Sequence, residues 1–179
     1  MHTSPQAVIL VGHGGVPTDY PQELVFKLKR LEGQRRADGG APTEQEIELD
    51  QRIRRWPRSA GTDPYQAGLE SLAAGLRPFL HGVPLALAYN EFCAPTLDEA
   101  VADLAAAGIR DITVVSSMLT PGGSHSEREI PETLERLRAQ YPQITLRYAW
   151  PFDLTLVGSM LAEHLHRFLL KTQGPAGQG

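Results

Sequence analysis

This sequence of 179 residues has one cysteine, no long apolar run and no surplus of positive charge. Each shortage removes a class of function. A single cysteine cannot close a disulfide within the chain, which fits a reducing compartment. No stretch approaches the roughly 20 apolar residues of a membrane-spanning helix, so no membrane partner is expected. The first residues carry no basic segment before a strand-like run, so no signal peptide is expected and the reading is a cytoplasmic protein. Seventeen Lys and Arg against 21 Asp and Glu leave a formal charge of −4 and a pI near 5.9. That balance gives no polyanion footprint and argues against a nucleic-acid partner. Several catalytic signatures are missing as well. Gly12-His13-Gly14 begins a dinucleotide fingerprint, but Pro17 stands at its third glycine position. There is no Gly-Lys-Ser/Thr for a phosphate loop and no Gly-x-Ser-x-Gly elbow. Ser124 and Ser126 flank His125 without an evident orienting acid. Cys93 reads as a small buried filler rather than a thiolate.

With 41% hydrophobic residues, the chain can bury one sizeable core. Residues 1–172 are expected to form one domain, followed by a disordered tail over 173–179. Four runs read as strands: 7–12, 84–90, 111–119 and 144–150. The first and third are nearly continuous in Val, Ile and Leu, as strands covered on both faces should be. A helix over 95–108 is marked by Thr96 as N-cap, Glu99 at the capping-box position and Gly108 at the C-terminal end. Another spans about 130–140. A third follows Asp153, with Leu154, Val157, Leu161, Leu165 and Phe168 on one stripe. Strands alternating with helices imply a parallel α/β sheet.

The first crossover is far longer than one helix requires. It reads as helices over 21–36, 43–56 and 63–80, the second opened by Thr43 and Glu46. The third carries Leu69, Leu72, Leu76 and Phe79 and completes the crossover. Residues 18–66 thus form a helical insertion with nine Lys/Arg and nine Asp/Glu. Two readings stand: a solvated hairpin with salt-bridged faces, or a lid over the strand ends.

Three metal-competent side chains lie just beyond three of the strands: His13, Glu91 and His125. In an open parallel sheet that edge is where ligands bind. Imidazole nitrogen with carboxylate oxygen is a borderline ligand set, suited to Fe, Co, Ni or Zn with positions left open. Each residue alone has a plainer role, a histidine satisfying a backbone carbonyl or a glutamate capping a helix. Together they point to a metal. His2, His81, His164 and His166 have weaker claims, the last two lying two apart on a helix and facing different sides.

Val8-Ile-Leu-Val-Gly-His-Gly, Tyr89-Asn-Glu91 with Pro95-Thr-Leu-Asp-Glu-Ala, and Ile112-Thr-Val-Val through Pro121-Gly-Gly, His125 and Ile130-Pro131 now combine. In that order they resemble the sirohydrochlorin cobaltochelatase/ferrochelatase family, the small CbiX/SirB-like class II tetrapyrrole chelatases. The resemblance covers about 7–17 and 85–152. It implies a three-layer chelatase-like fold with a four-stranded parallel sheet, the helical insertion lying between strands 1 and 2. It also implies His13 and His125 as metal ligands, Glu91 as an assisting carboxylate, and a homodimer. The chain departs from the family pattern in three places. His-Gly-Gly-Val replaces His-Gly-Ser-Arg at the opening, Ser116 stands for a third-strand proline, and Ser124 is an extra residue before His125.

The expected activity is insertion of Co²⁺, Fe²⁺ or Ni²⁺ into a sirohydrochlorin-type tetrapyrrole, in cobalamin or siroheme biosynthesis. The metal is a substrate, and no organic cofactor is expected. Insertion removes two pyrrole protons, which a carboxylate or free imidazole can accept. One imidazole nitrogen cannot hold a metal and a proton together, so either the roles alternate or Glu91 takes the protons while the histidines hold the ion, and the second is the favoured reading. Gly14, Gly15, Gly122, Gly123 and Ser124 are the expected substrate-binding residues. Arg52, Arg54, Arg55 and Arg58 either meet substrate carboxylates or pair with Glu44, Glu46 and Glu48. Alternative readings are a non-catalytic tetrapyrrole or metal carrier, or a metal-dependent hydrolase.

Overall fold

The computed structural model describes residues 5–169, so the tail expected at 173–179 lies outside the described residues. Four strands form one sheet: β1 (Gln6–Gly12), β2 (Leu85–Tyr89), β3 (Asp111–Ser116) and β4 (Thr145–Tyr148). All pair in parallel, in the order β2-β1-β3-β4. Helices α1 (Gln22–Asp38), α2 (Glu44–Arg54) and α3 (Pro64–Leu76) fill the first crossover. Helices α4 (Leu97–Ala106), α5 (Ile130–Gln140) and α6 (Leu154–Leu169) follow β2, β3 and β4.

Strand alternation sorts the core onto two faces. Ala7, Ile9 and Val11 of β1 join Ile112 and Val114 of β3 beneath α4 and α5, where Val101 and Leu134 are fully buried. Leu10 points the other way, toward Leu69 and Ala73 of α3 and the buried Cys93. The α4 terminus forms as its sequence dictates. Thr96 accepts from the Glu99 N–H, and the Glu99 carboxylate returns to the Thr96 N–H at 2.7 Å. The corresponding pair at α2 is only half made. Thr43 accepts from Glu46, but the Glu46 side chain turns to Arg35 at 2.7 Å.

Helices α1 and α2 build a satellite core of their own, in which Leu28, Leu49 and Ile53 enclose Tyr20 and Phe92. Because Phe92 follows Glu91, the hairpin is packed directly onto the strand ends.

Three details differ from the sequence expectation. The third strand stops at Ser116 rather than running to 119, because the Ser116 hydroxyl accepts the Met118 N–H and turns the chain. Residues Arg77–Leu80 tighten into a 3₁₀ turn instead of continuing α3, since Pro78 brings no N–H to an α-helical bond. Phe79 in that turn lies outside the core, 75% exposed, and Leu72, on the outer face of α3, is 53% exposed. The stripe on α6 exists but is uncovered: Leu154, Leu161, Leu165 and Phe168 are each more than half exposed.

Candidate metal centre

Parallel register brings the strand ends level. Gly12 pairs with Tyr89 and Val11 with Ser116, so His13, Glu91 and the loop leading to His125 leave the sheet on one edge. Their ligand atoms lie within 4.8 Å of one another, and all three side chains are half-buried. The two imidazoles meet edge to face with centroids 4.8 Å apart. With metal–ligand bonds near 2.1 Å, two tetrahedral ligand atoms on one ion stand about 3.4 Å apart, so capture of an ion asks the widest pair to close by about 1.4 Å.

Backbone packing fixes the approach. Gly14 has φ +93°, and a Cβ there would sit 1.8 Å from the Glu91 carbonyl oxygen. Only glycine lets the β1 and β2 loops touch, an approach sealed by the Glu91 N–H donating to the His13 carbonyl at 2.7 Å. The His13 N–H donates to the Tyr65 hydroxyl at 2.6 Å.

Both histidines are oriented through Nδ1. His13 Nδ1 lies 2.8 Å from the Gly14 carbonyl oxygen, an acceptor that requires the proton to be on Nδ1. His125 Nδ1 lies 2.8 Å from the Glu129 carboxylate, which also accepts from the Asn90 amide at 2.9 Å. His125 Nδ1 also lies 2.7 Å from the Asn90 amide nitrogen. In the tautomer whose Nδ1 proton points to the Glu129 carboxylate, His125 Nε2 keeps a free lone pair, the arrangement of carboxylate-oriented metal histidines. One wide helical turn, His125–Glu129, closed by the Ile130 N–H on the His125 carbonyl, puts Glu129 under the ring. Burial alone would raise the Glu129 carboxyl, but hydrogen bonds from Asn90 and His125 and the nearby Arg36 hold it below its usual range.

Glu91 is met from the insertion. Lys29 of α1 places Nζ 3.0 Å from Glu91 Oε2 and 3.0 Å from Glu32, and 4.5 Å over the Phe92 ring. Burial works against the Lys29 charge, yet the two carboxylates raise its pKa above the ordinary value. Two arginines tie the hairpin to the site loops. Arg54 donates to the carbonyls of Cys93 and Asn90 at 3.0 and 3.1 Å. Arg58 reaches the Gly15, Ile53 and Phe92 carbonyls and pairs with buried Asp63. These two are structural, and they pair with neither Glu44, Glu46 nor Glu48. Arg55 lies 4.0 Å from Glu99. Cys93 is fully buried, and burial pushes its thiol up to about 11. That removes it from nucleophilic or thiolate chemistry near neutrality. Gly122, Gly123 and Ser124 are exposed on the loop before His125.

Tyr65, Lys29, Asn90 and Glu129 were not singled out from sequence. Only Glu129 left a signal, its i, i+4 spacing from His125.

A family model described as CbiX matches residues 61–165, more than half of the chain. No match is found among curated proteins. Among solved structures, a CbiX protein from Marinobacter aquaeolei VT8 is 20% identical with a TM-score of 0.55, over 95% of this chain and 99% of that one. The sirohydrochlorin chelatase SirB from Bacillus subtilis subspecies spizizenii, in complex with cobalt, is 21% identical with a TM-score of 0.42. That match covers 82% of this chain and 43% of the other. The first likeness shares the α/β architecture with its four-stranded parallel sheet, and the family match includes the segment that carries Glu91, His125 and Glu129. The chain belongs to the CbiX family.

Proposed function

We propose that this chain inserts a divalent metal, Co²⁺, Fe²⁺ or Ni²⁺, into a sirohydrochlorin-type tetrapyrrole, in cobalamin or siroheme biosynthesis. The observation that carries the reading is the convergence of His13, Glu91 and His125 at the sheet edge, with both Nε2 atoms left free. Two imidazoles and one carboxylate leave coordination positions open, so the ion can be presented and then released. Glu91 is the base: one oxygen can face the ion while the other takes the two pyrrole protons one at a time and passes each to solvent, whereas an imidazole nitrogen engaged by metal cannot take one. Lys29 balances the Glu91 charge before the ion arrives. Gly15, Gly122, Gly123 and Ser124 border the substrate, and buried Gly14 contributes by letting the two loops close. The α1–α2 hairpin forms one wall of the site within a single chelatase-like domain.

The working unit in this reading is a homodimer formed through α6. Four large apolar residues on one face of that helix, Leu154, Leu161, Leu165 and Phe168, are each more than half exposed. At roughly 100 Å² each they supply about half of the ~800 Å² per partner of a standard interface. A second copy offers the matching surface.

The test is direct. Purified protein is mixed with sirohydrochlorin and each metal, and the tetrapyrrole absorption is followed. Catalytic turnover is expected in wild type, and none in a folded His125→Ala variant. Wild-type rates from that variant remove His125 from the mechanism. Stoichiometric uptake without turnover identifies a carrier instead.

A further inference from the structure

Among the described residues, Lys29 is the one lysine or arginine paired with a side chain of the triad, and it has a second seat. Its Nζ lies 3.0 Å from Glu91 Oε2 and equally 3.0 Å from Glu32 Oε2, three residues along α1. The Phe92 ring lies 4.5 Å away, beneath the ammonium. These neighbours are held in place. Leu28 anchors α1 in the satellite core that also buries Phe92, and the Glu91 N–H is bonded to the His13 carbonyl. The lysine stem is the flexible part, four carbons carrying three rotatable donors. The ammonium can therefore let go of Glu91 and keep Glu32 and the ring without any shift of the backbone.

The hairpin does not depend on this pair to stay docked, because Arg54 and Arg58 already tie it to carbonyls of the site loops. What the pair changes is the charge at the triad. Two imidazoles, neutral when they ligate, and Glu91 carry one negative charge, and Lys29 cancels it. A divalent ion arriving there meets a like charge on the carboxylate it needs, and repulsion at such separations is strong in a half-buried site. We infer that Lys29 is a positioning residue that competes with the metal for Glu91, occupying the carboxylate while the triad is empty and withdrawing to Glu32 when an ion enters. From Glu32 the ammonium still presses on the ion, so the ion is held loosely and Glu91 Oε2 is left open. This rests on His13, Glu91 and His125 as the metal centre, and it assigns the looseness of their hold to a residue of the insertion.

The experiment measures Co²⁺ affinity by calorimetric titration, and Co²⁺ release by challenge with a chelator, in wild type, Lys29→Met, Lys29→Arg and Glu32→Gln. Lys29 is 39% exposed, and solvent screening keeps each effect to about tenfold. Lys29→Met should bind Co²⁺ about tenfold more tightly and release it about tenfold more slowly. Lys29→Arg keeps the charge and should stay within about threefold of wild type. Glu32→Gln removes the second seat, so the ammonium stays on Glu91 and Co²⁺ should bind about tenfold more weakly. A lysine that merely holds Glu91 in position gives the opposite sign for Lys29→Met, a loose carboxylate and weaker binding. Equal or weaker Co²⁺ binding by Lys29→Met, with the circular dichroism spectrum unchanged, overturns the competition and leaves the metal centre in place. So does wild-type affinity in Glu32→Gln, an arm that decides the matter even if Lys29→Met does not fold. A wild type that binds no Co²⁺ overturns the metal centre itself.

Discussion

Replacing Arg58 with methionine should cost this fold more than substitutions at its surface. The Arg58 side chain is 6% exposed and its partner Asp63 1%. Its guanidinium also serves the Gly15 and Ile53 carbonyls at 3.0 and 2.9 Å, and the Phe92 carbonyl. Methionine keeps an unbranched apolar stem but no donor. Asp63 is then left as a buried charge whose one remaining donor among the described residues is the Gln66 N–H at 2.9 Å. Breaking a buried ion pair from one side costs about 3–5 kcal/mol. In a domain of this size that lowers Tm by roughly 6–20 °C. Adding Asp63→Asn removes the stranded charge and keeps an oxygen for Gln66, so the double variant should recover about half of the loss. The damage should also reach the candidate metal centre. Gly15 and Phe92 stand two residues after His13 and one after Glu91, and loosening both loops should weaken Co²⁺ binding by about tenfold or more. Urea denaturation gives the stability and calorimetric titration the affinity. Loss of less than about 0.5 kcal/mol, the range of ordinary surface changes, with unaltered Co²⁺ binding, would refute the idea that Arg58 clamps the hairpin to the site.

Glu129→Gln, which removes the charge orienting His125, should weaken Co²⁺ affinity about 10–100-fold without unfolding the protein. Because the folded Glu129 pKa is depressed, its stabilisation is present above the unfolded value and is lost as pH falls through the folded one. The stability gap between wild type and this variant should thus narrow below about pH 4, and a constant gap would exclude the ionised carboxylate as its source. Cys93 gives the opposite slope. With its thiol moved from 9.0 to about 11, the unfolded chain ionises first, so wild type should lose about 1.4 kcal/mol relative to Cys93→Ala between pH 8 and pH 10. Parallel pH profiles would contradict the burial of the thiol. Leu161→Asp with Leu165→Asp should turn the proposed dimer into a monomer by sedimentation while the circular dichroism spectrum is kept; a wild type that sediments as a monomer at micromolar concentration refutes the dimer.

The sequence was most legible where the information is local. Thr96 and Glu99 sit three apart and cap α4 by themselves, and the Val-rich runs of β1 and β3 announce a sheet covered on both faces. The convergence of the three side chains was legible because His13 directly follows β1 and Glu91 stands two residues beyond β2, while the wide turn that carries His125 begins with it. Its supports were hidden by distance along the chain. Lys29 and Glu91 are 62 residues apart, and His13 and Tyr65 are 52 apart, so no spacing rule joins them. Charge pairing misled for a related reason. Arg54 and Arg58 lie among glutamates in sequence, yet both guanidiniums reach backbone carbonyls of the β2 loop, since a buried turn must satisfy its polar groups. The stripe on α6 was read correctly as helical, but a period of 3.6 states which face is apolar and not what covers it.

The most direct test of the account is the position of a bound ion. A crystal soaked in Co²⁺ should show one anomalous peak within bonding distance of His13 Nε2, His125 Nε2 and a Glu91 oxygen, with the Lys29 ammonium displaced from that carboxylate. A peak elsewhere, or none at this edge of the sheet under concentrations that support turnover, would contradict the assignment of these three residues as the metal centre.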